Sequence, residues 1–530
     1  MLRVDPADKE KLIDPLFRVD RRFWAAVLVL LAVIGWGLYI YVQQVILGLG
    51  QTGMDRPTYW GIYMVNFIFF IGISHAGTLI SAILRVTGAE WRRPITRVAE
   101  AITVFALIVG TLQIIIDMGR PDRLWFVALY GRLQSPILWD VVSVTLYFLG
   151  SVTYLYLPLI PDLAILRDNA PAHAPTWQKR LYSRLALGWR GNREQWVRLE
   201  KAIAVMAVFI IPVAVSVHTI ISWILATTVQ PGWHSSIFGP YFVVGAIFSG
   251  IGALFVAMSA VRRALGLENY ITLRQYRNLG LLFIVMNLTW AYFTYAEHLG
   301  IAAGQQTEEF PVLASKLWGT YAAGFWSMVT LMVVAFIVLV APKILSILPA
   351  SERILRPQVA VASIAGALVT FLLLLAPVSS WVPPLFANAA LTDPLERTAG
   401  WVLLIFFVVG AGLGLAPWLR SRPVAATVIA SLLVLVGMWL ERWNIVVPTM
   451  THPRLVAYAN YQPTITELSL TAASVALFVL LFLLFFKLFP AVSIWEVAEG
   501  RVVEEARAKI SVPEPESMEE RLRSRSLLRR

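Results

Sequence analysis

His75, Asp140 and His218 are the residues of this chain best suited by type and setting to proton-coupled chemistry. Each falls inside a long apolar stretch, where a titratable side chain is costly and is kept for a purpose. An imidazole takes or gives a proton near neutral pH, and a nearby carboxylate relays it. Tyr63 and Asn66 precede His75 on the same stretch, and Asp117 and Arg120 close the next one, so these four join the set as candidate ligand contacts. Glu100, Glu297, His298 and Glu441 are further polar groups in apolar surroundings and suit a proton path. Structural roles stand beside these. His75 sits among the small residues of Gly72–Thr78, which favour close helix packing. Asp117 and Arg120 also suit a helix end with a surface ion pair, and Glu441-Arg442 an interface pair.

The elements that carry these residues are long apolar runs. The chain has 530 residues, 58% hydrophobic and 14% charged, a composition that needs a bilayer. Twelve runs lie near 23–47, 59–85, 97–118, 137–160, 200–228, 237–262, 276–303, 319–343, 359–380, 400–417, 424–447 and 468–489. About 20 apolar residues cross the hydrocarbon as a helix, and no ten-residue alternating strands are present. The fold class is therefore an all-α polytopic membrane protein with ten to twelve transmembrane helices. The ninth and tenth runs are the least regular, because Pro377, Pro383, Pro384 and Asp393-Pro394 interrupt them. Two four-helix bundles plus peripheral helices are expected, formed by runs two to five and six to nine.

Charge gives orientation. Most of the 44 Lys and Arg fall in the N-terminus, in the connections after even-numbered runs and in the C-terminus. This positive-inside bias places both termini in the cytoplasm. The expected parts are a cytoplasmic segment 1–22, membrane helices over 23–160, a cytoplasmic loop 161–199 and membrane helices over 200–343. An extra apolar region 344–423, the last membrane helices 424–489 and a charged cytoplasmic tail 490–530 follow. The first run is long enough to span and is expected to be a membrane helix, not a cleaved leader.

With that orientation Asp117, Asp140, His218, Glu297, His298 and Glu441 fall in the outer half, and His75, Arg85 and Glu100 in the inner half. An outer-weighted set of acids and histidines suits quinol oxidation at the exoplasmic face. Two electrons leave for a redox centre and two protons leave for water. The net charge of +12 belongs to the loops and tails, so no nucleic-acid partner is expected. With no cysteine the chain carries no Cys-ligated iron–sulfur cluster and no covalent haem site. A haem b held by His75 and His218 is not expected, and no metal-ligand spacing is present.

Several motifs carry a resemblance. Trp60–Phe67 running into Gly72–Ala82, Met118–Pro121, Ser135–Asp140 and Ser216–Trp223 resemble NrfD/PsrC-type membrane subunits. Pro231–His234, Ile237–Phe242, Gly245–Gly250, Glu441–Val447 and Val492–Glu496 are most similar to the ActC subunit of bacterial alternative complex III. The region 345–423 exceeds that family's ten-helix plan. The resemblance implies a quinol:electron-acceptor oxidoreductase subunit in the bacterial inner membrane, with menaquinol as substrate. It implies an exoplasmic iron–sulfur subunit, a multihaem cytochrome c subunit and a paralogous NrfD-like membrane subunit as partners. Carried over, His75, Asp140 and His218 become quinol-site and proton-acceptor residues, with Asp117 and Arg120 at the mouth. Alternatives are a scaffold or proton-conducting paralogue, a subunit of a polysulfide reductase-like enzyme, and a secondary transporter. A transporter is disfavoured by the absence of a repeat and by the outward weighting of the polar groups.

Overall fold

A backbone in hydrocarbon must satisfy its own hydrogen bonds, so each apolar run becomes a helix. The computed structural model describes residues 5–18, 20–344, 357–375 and 394–501. Twelve long helices follow in order: α1 Arg21–Leu47, α2 Ile62–Val86, α3 Thr96–Asp117, α4 Pro136–Asn169, α5 Arg193–Ala226 and α6 Phe238–Ala264. They continue with α7 Leu273–Gly304, α8 Ala322–Ile344, α9 Pro357–Leu375, α10 Pro394–Ser421, α11 Pro423–Thr451 and α12 Ile465–Leu488. Among the described residues there is no β-strand. Eleven of the helices are long and apolar enough to cross a membrane; α9 contributes a shorter apolar segment, Ala360–Phe371. The chain is a polytopic helical membrane protein.

The first bundle forms as expected from α2, α3, α4 and α5. The second differs from expectation: it is built from α6, α7, α8 and α11, not from four consecutive helices. Instead α9 pairs with α10, and α10 reaches α8. Side-chain polarity accounts for the exchange. Helix α11 carries Glu441 and Arg442, both 1% exposed, and these need an interior. Helix α9 turns Val361, Ile364, Leu368 and Val369 outward, which lipid accepts. Helices α1 and α12 pair at the periphery.

The expected loop 161–199 is shorter than its sequence suggests. Helix α4 runs to Asn169, α5 begins at Arg193, and a short helix, Thr176–Leu185, lies between them. The tail also departs from a solvated arm. Residues 490–501 fold onto the arginine-rich end of the first bundle, with Val492, Ser493, Ile494, Trp495 and Glu496 buried. The charged stretch 502–530 lies outside the described residues.

The anchor is Asp162, fully buried on α4. It accepts from Arg97 Nη1 at 2.6 Å, from Trp495 N at 3.1 Å and from Ser493 Oγ at 3.2 Å. Glu496 pairs with Arg85 and lies 3.6 Å from Arg92. Farther out, Arg501 makes two 2.8 Å bonds to Asp8, whose carboxylate also accepts from Tyr270 at 2.5 Å. Burial beside Asp8 pushes the Tyr270 hydroxyl up to about 12.

Breaking a buried ion pair from one side costs about 3–5 kcal/mol, because it strands the other charge. Asp162→Asn should therefore lower the unfolding temperature of the purified protein and open 493–501 to protease. Arg97→Met combined with Asp162→Leu should not recover that loss, because the Trp495 N–H and the Ser493 hydroxyl then have no acceptor. An Asp162→Asn protein as stable and as resistant as wild type would mean that the pair does not hold the tail.

Candidate functional site

His75 lies about midway along α2 and is 1% exposed; His218 on α5 is fully buried. Their rings touch, with His218 Nδ1 at 3.1 Å from His75 Nε2. His75 Nδ1 lies 2.6 Å from the Ile71 carbonyl, and Nε2 lies 2.6 Å from the Ala214 carbonyl. A carbonyl only accepts, so the hydrogen-bond pattern assigns protons. With both rings neutral, His75 carries one proton, either on Nε2 donating to Ala214 or on Nδ1 donating to Ile71; in the second case His218 Nδ1–H donates to His75 Nε2. The Ala214 oxygen then faces a lone pair. When His75 carries two protons, both carbonyls are satisfied. The pair thus has a built place for one extra proton, and His218 Nε2, buried with no partner, is where it can arrive.

Tyr147 of α4 completes the pair, and sequence reasoning passed over it. Its ring lies 4.8 Å from His75, and its hydroxyl donates to the Ser74 carbonyl at 3.0 Å. A file of hydroxyls leads from there toward the arginine-rich end. Ser74, Thr78 and Ser81 share one face of α2 through their spacing of four and three. Tyr147 reaches Thr78 and Ser151. Thr78 donates to Thr103 at 3.0 Å, and Ser81 donates to Glu100 Oε1 at 2.8 Å and contacts Tyr154 at 3.4 Å. Glu100 Oε2 is buried without a partner.

Arg442 was missed as a site residue and is fully buried. It pairs with Glu441, which accepts from Trp290 Nε1 at 3.0 Å. Its guanidinium lies 5.5 Å over the Phe242 ring and within electrostatic reach of His218. Gly245 admits it, while Gly72 lies at ordinary contact distance. A Cβ on Gly245 would stand 2.8 Å from its Nη2, and one on Gly72 3.7 Å. The sequence placed Glu441-Arg442 near a span end, where a pair facing headgroups reads the same as a pair facing the interior. The small residues opposite were the available signal.

The other candidates lie apart. Tyr63 stands twelve residues before His75, roughly 18 Å along α2 at 1.5 Å per residue. It donates to Gln44 Oε1 at 2.6 Å and lies within electrostatic reach of Asp117 and Glu467. Asn66 is bonded to Thr471 at 2.8 Å and Trp439 at 2.9 Å, a packing network joining α2 to α11 and α12. Asp140 lies about two turns along α4 from Tyr147; its Oδ1, like Asp117 Oδ1, is buried without a partner. Arg120 is exposed and bidentate with Asp122, at 2.9 and 2.8 Å, so it is a surface pair. Glu297 accepts from Ser235 and lies near Lys316, while His298 packs on Phe325; both are in the second bundle. Desolvation pulls the Lys316 ammonium down to about 8, opposed by Glu297.

Haem does not fit between the two histidines. Rings already in contact leave no space for a macrocycle with iron bonded to both. Among the described residues, no three His, Asp or Glu side chains gather as a metal-ligating group.

Residues 50–383, which carry α2 to α9 and the histidine pair, match the family described as Polysulphide reductase, NrfD. The chain belongs to this family. Among similar sequences, a Halobacterium salinarum protein described as a membrane subunit of dimethyl sulfoxide reductase is 33% identical over 236 residues. That match covers 44% of this chain and 50% of the relative. A selenate reductase subunit of Mesobacillus selenatarsenatis is 25% identical over 45% of this chain and 56% of its own length. The Hdr-like menaquinol oxidoreductase integral membrane subunit of Archaeoglobus fulgidus is 25% identical, over 52% of this chain and 60% of its own. The chain thus spans between half and three fifths of these relatives.

Gly245→Ala tests the seat of Arg442. The methyl overpacks a filled interior, which costs roughly 1–3 kcal/mol. The variant should melt earlier than wild type, whereas Gly280→Ala, with nothing within 4 Å of its Cβ, should not. Equal melting of the two variants would mean that the guanidinium is not confined.

Proposed function

We propose that this NrfD-family chain is the quinol-binding integral membrane subunit of a quinol:electron-acceptor oxidoreductase of the alternative complex III kind. The observation that carries this reading is the buried, unpartnered Nε2 of His218 backed by the proton-accepting His75. The menaquinol oxidoreductase relative supports menaquinol as the substrate.

A quinol supplies two electrons and two protons. His218 Nε2 accepts a hydroxyl proton while its Nδ1–H passes to His75 Nε2, and the Ile71 and Ala214 carbonyls hold the resulting imidazolium. Asp140 and Asp117, with buried free oxygens toward the ends of their helices away from the arginine-rich side, are the outward proton acceptors of this reading. Glu100 and the hydroxyl file connect the histidines to the arginine-rich, cytoplasmic side. They are the route by which protons are exchanged or translocated across the bundle. Glu297, His298 and Glu441 serve the second bundle, with Glu441 fixing Arg442. With no cysteine in the chain, the electrons go to an iron–sulfur partner on the exoplasmic face and then to a multihaem cytochrome c, beside a paralogous membrane subunit.

A general acid–base group contributes typically 10²–10⁴-fold. His75→Ala and His218→Leu should each lower quinol:acceptor turnover of the native complex by roughly that factor while the complex still assembles. Asp140→Asn should slow turnover and shift its pH profile. Normal turnover in both histidine variants would remove the pair from the reaction, and failure to assemble would assign it to packing. Glu100→Gln should leave electron transfer largely intact and reduce proton movement in reconstituted vesicles; unchanged proton movement would discard the hydroxyl file as a route.

A further inference from the structure

The second bundle contains a cavity of about 420 Å³ between α7 and α8, and none of its lining residues belongs to the first bundle. It opens toward the lipid side, where Leu288 is 52% and Tyr295 67% exposed. Its walls include Trp290, Phe325, Trp326 and Phe336, flat rings that favour another flat ring. The polar lining groups are few, and two of them are already engaged: Asn287 Nδ2 donates to the Met332 carbonyl at 3.3 Å, and Thr294 Oγ1 donates to Tyr241.

Of the others, Tyr295 is exposed at the rim, and His298 fixes the ligand chemistry. Its Nδ1 lies 2.7 Å from the Thr294 carbonyl. A carbonyl accepts only, so in the neutral ring Nδ1 carries the proton and Nε2 presents a lone pair. That Nε2 is buried without a partner. An unmet buried acceptor calls for a donor. A water held there would need two to four polar partners, which aromatic walls do not offer. An acyl chain has no donor at all, and an oxidised quinone offers only acceptors through its carbonyls. A hydroquinone offers a ring for the walls and a hydroxyl for Nε2.

We propose that this cavity is a second binding site for a lipid-soluble hydroquinone, with the ring among Trp290, Phe325 and Trp326 and a hydroxyl donating to His298 Nε2. The identity of the ligand as a quinol rests on the function proposed above, whereas the site itself rests on the cavity and on His298. The site selects the reduced form, because only that form donates. Trp290 links it to the first site: the same indole that lines the cavity donates to Glu441, which pairs with Arg442 beside His218.

The test is photolabelling of the native complex in its own membranes with a diazirine-bearing naphthohydroquinone, mapped by peptide mass spectrometry. Label is expected on 287–298 and 325–336, suppressed by excess menaquinol and weaker with the oxidised probe. His298→Phe keeps a ring and removes the acceptor. The loss of one hydrogen bond should weaken labelling roughly three- to tenfold. Ala291→Phe should block the cavity by volume. Equal labelling by both redox forms and in His298→Phe, or displacement by phospholipid but not by menaquinol, identifies an acyl-chain groove and overturns the proposal. So does absence of label on both segments. Label around His75 and His218 in the same map reports on the first site independently. Its absence there, with label retained here, would sink the function reading and leave this site standing.

Discussion

Hydrocarbon offers no partner to a charge or a lone pair, so every polar side chain inside this protein must be answered by another part of it. That constraint organises the molecule more than the apolar packing does. It takes α11 out of chain order and into the second bundle, because Glu441 and Arg442 are buried there with Trp290 and Phe242 around them. It brings the chain's C-terminal segment onto α3 and α4, where Asp162, Arg97 and the Ser493–Trp495 backbone satisfy one another. Among the described residues some buried polar atoms are left without a hydrogen-bond partner, among them His218 Nε2, Glu100 Oε2, Asp117 Oδ1, Asp140 Oδ1 and His298 Nε2, and also the guanidinium nitrogens of Arg442.

The histidine pair is the sharpest of these exceptions. Two neutral rings leave one of the Ile71 and Ala214 carbonyls, each at 2.6 Å, facing a lone pair, and one added proton resolves the contact. Arg442 stands within electrostatic reach of His218, and Gly245 gives it room. The pair therefore links a packed helix contact, which small residues on α2 allow, to a change of protonation state. The structural and chemical roles of His75 coincide, since the close approach that buries it is also what lets it share a proton with His218.

The class of protein and the helix count were legible because they depend on position along the chain. Apolar length reports on that directly. His75 and His218 were legible for the same reason: titratable groups inside apolar runs stand out. Direction around a helix is not written in run length. Arg442 and Asp162 lie near span ends, where a group facing water and a group facing a neighbouring helix leave the same trace in sequence. The pairing of α11 with α6 and α8 depends on contacts between residues distant in the chain, as does the distance between Tyr63 and the histidines once α2 is a rigid rod. Asp140 was grouped with the histidines by residue type and by the family resemblance, and it sits about two turns away from Tyr147 along α4.

The bond between Asp162 and Trp495 joins residues 333 positions apart. During synthesis, α4 enters the bilayer with Asp162 and Arg97 paired but their other acceptor positions and donors unmet. The segment that completes them is made only after all twelve long helices. The arginine-rich end of the first bundle thus reaches its final form late, in the order of translation. Until then Arg85 and Arg92, beside the hydroxyl file that ends at Glu100, lack the Glu496 carboxylate. The tail acts as a closure that seals this end of the bundle once the rest of the membrane domain is in place.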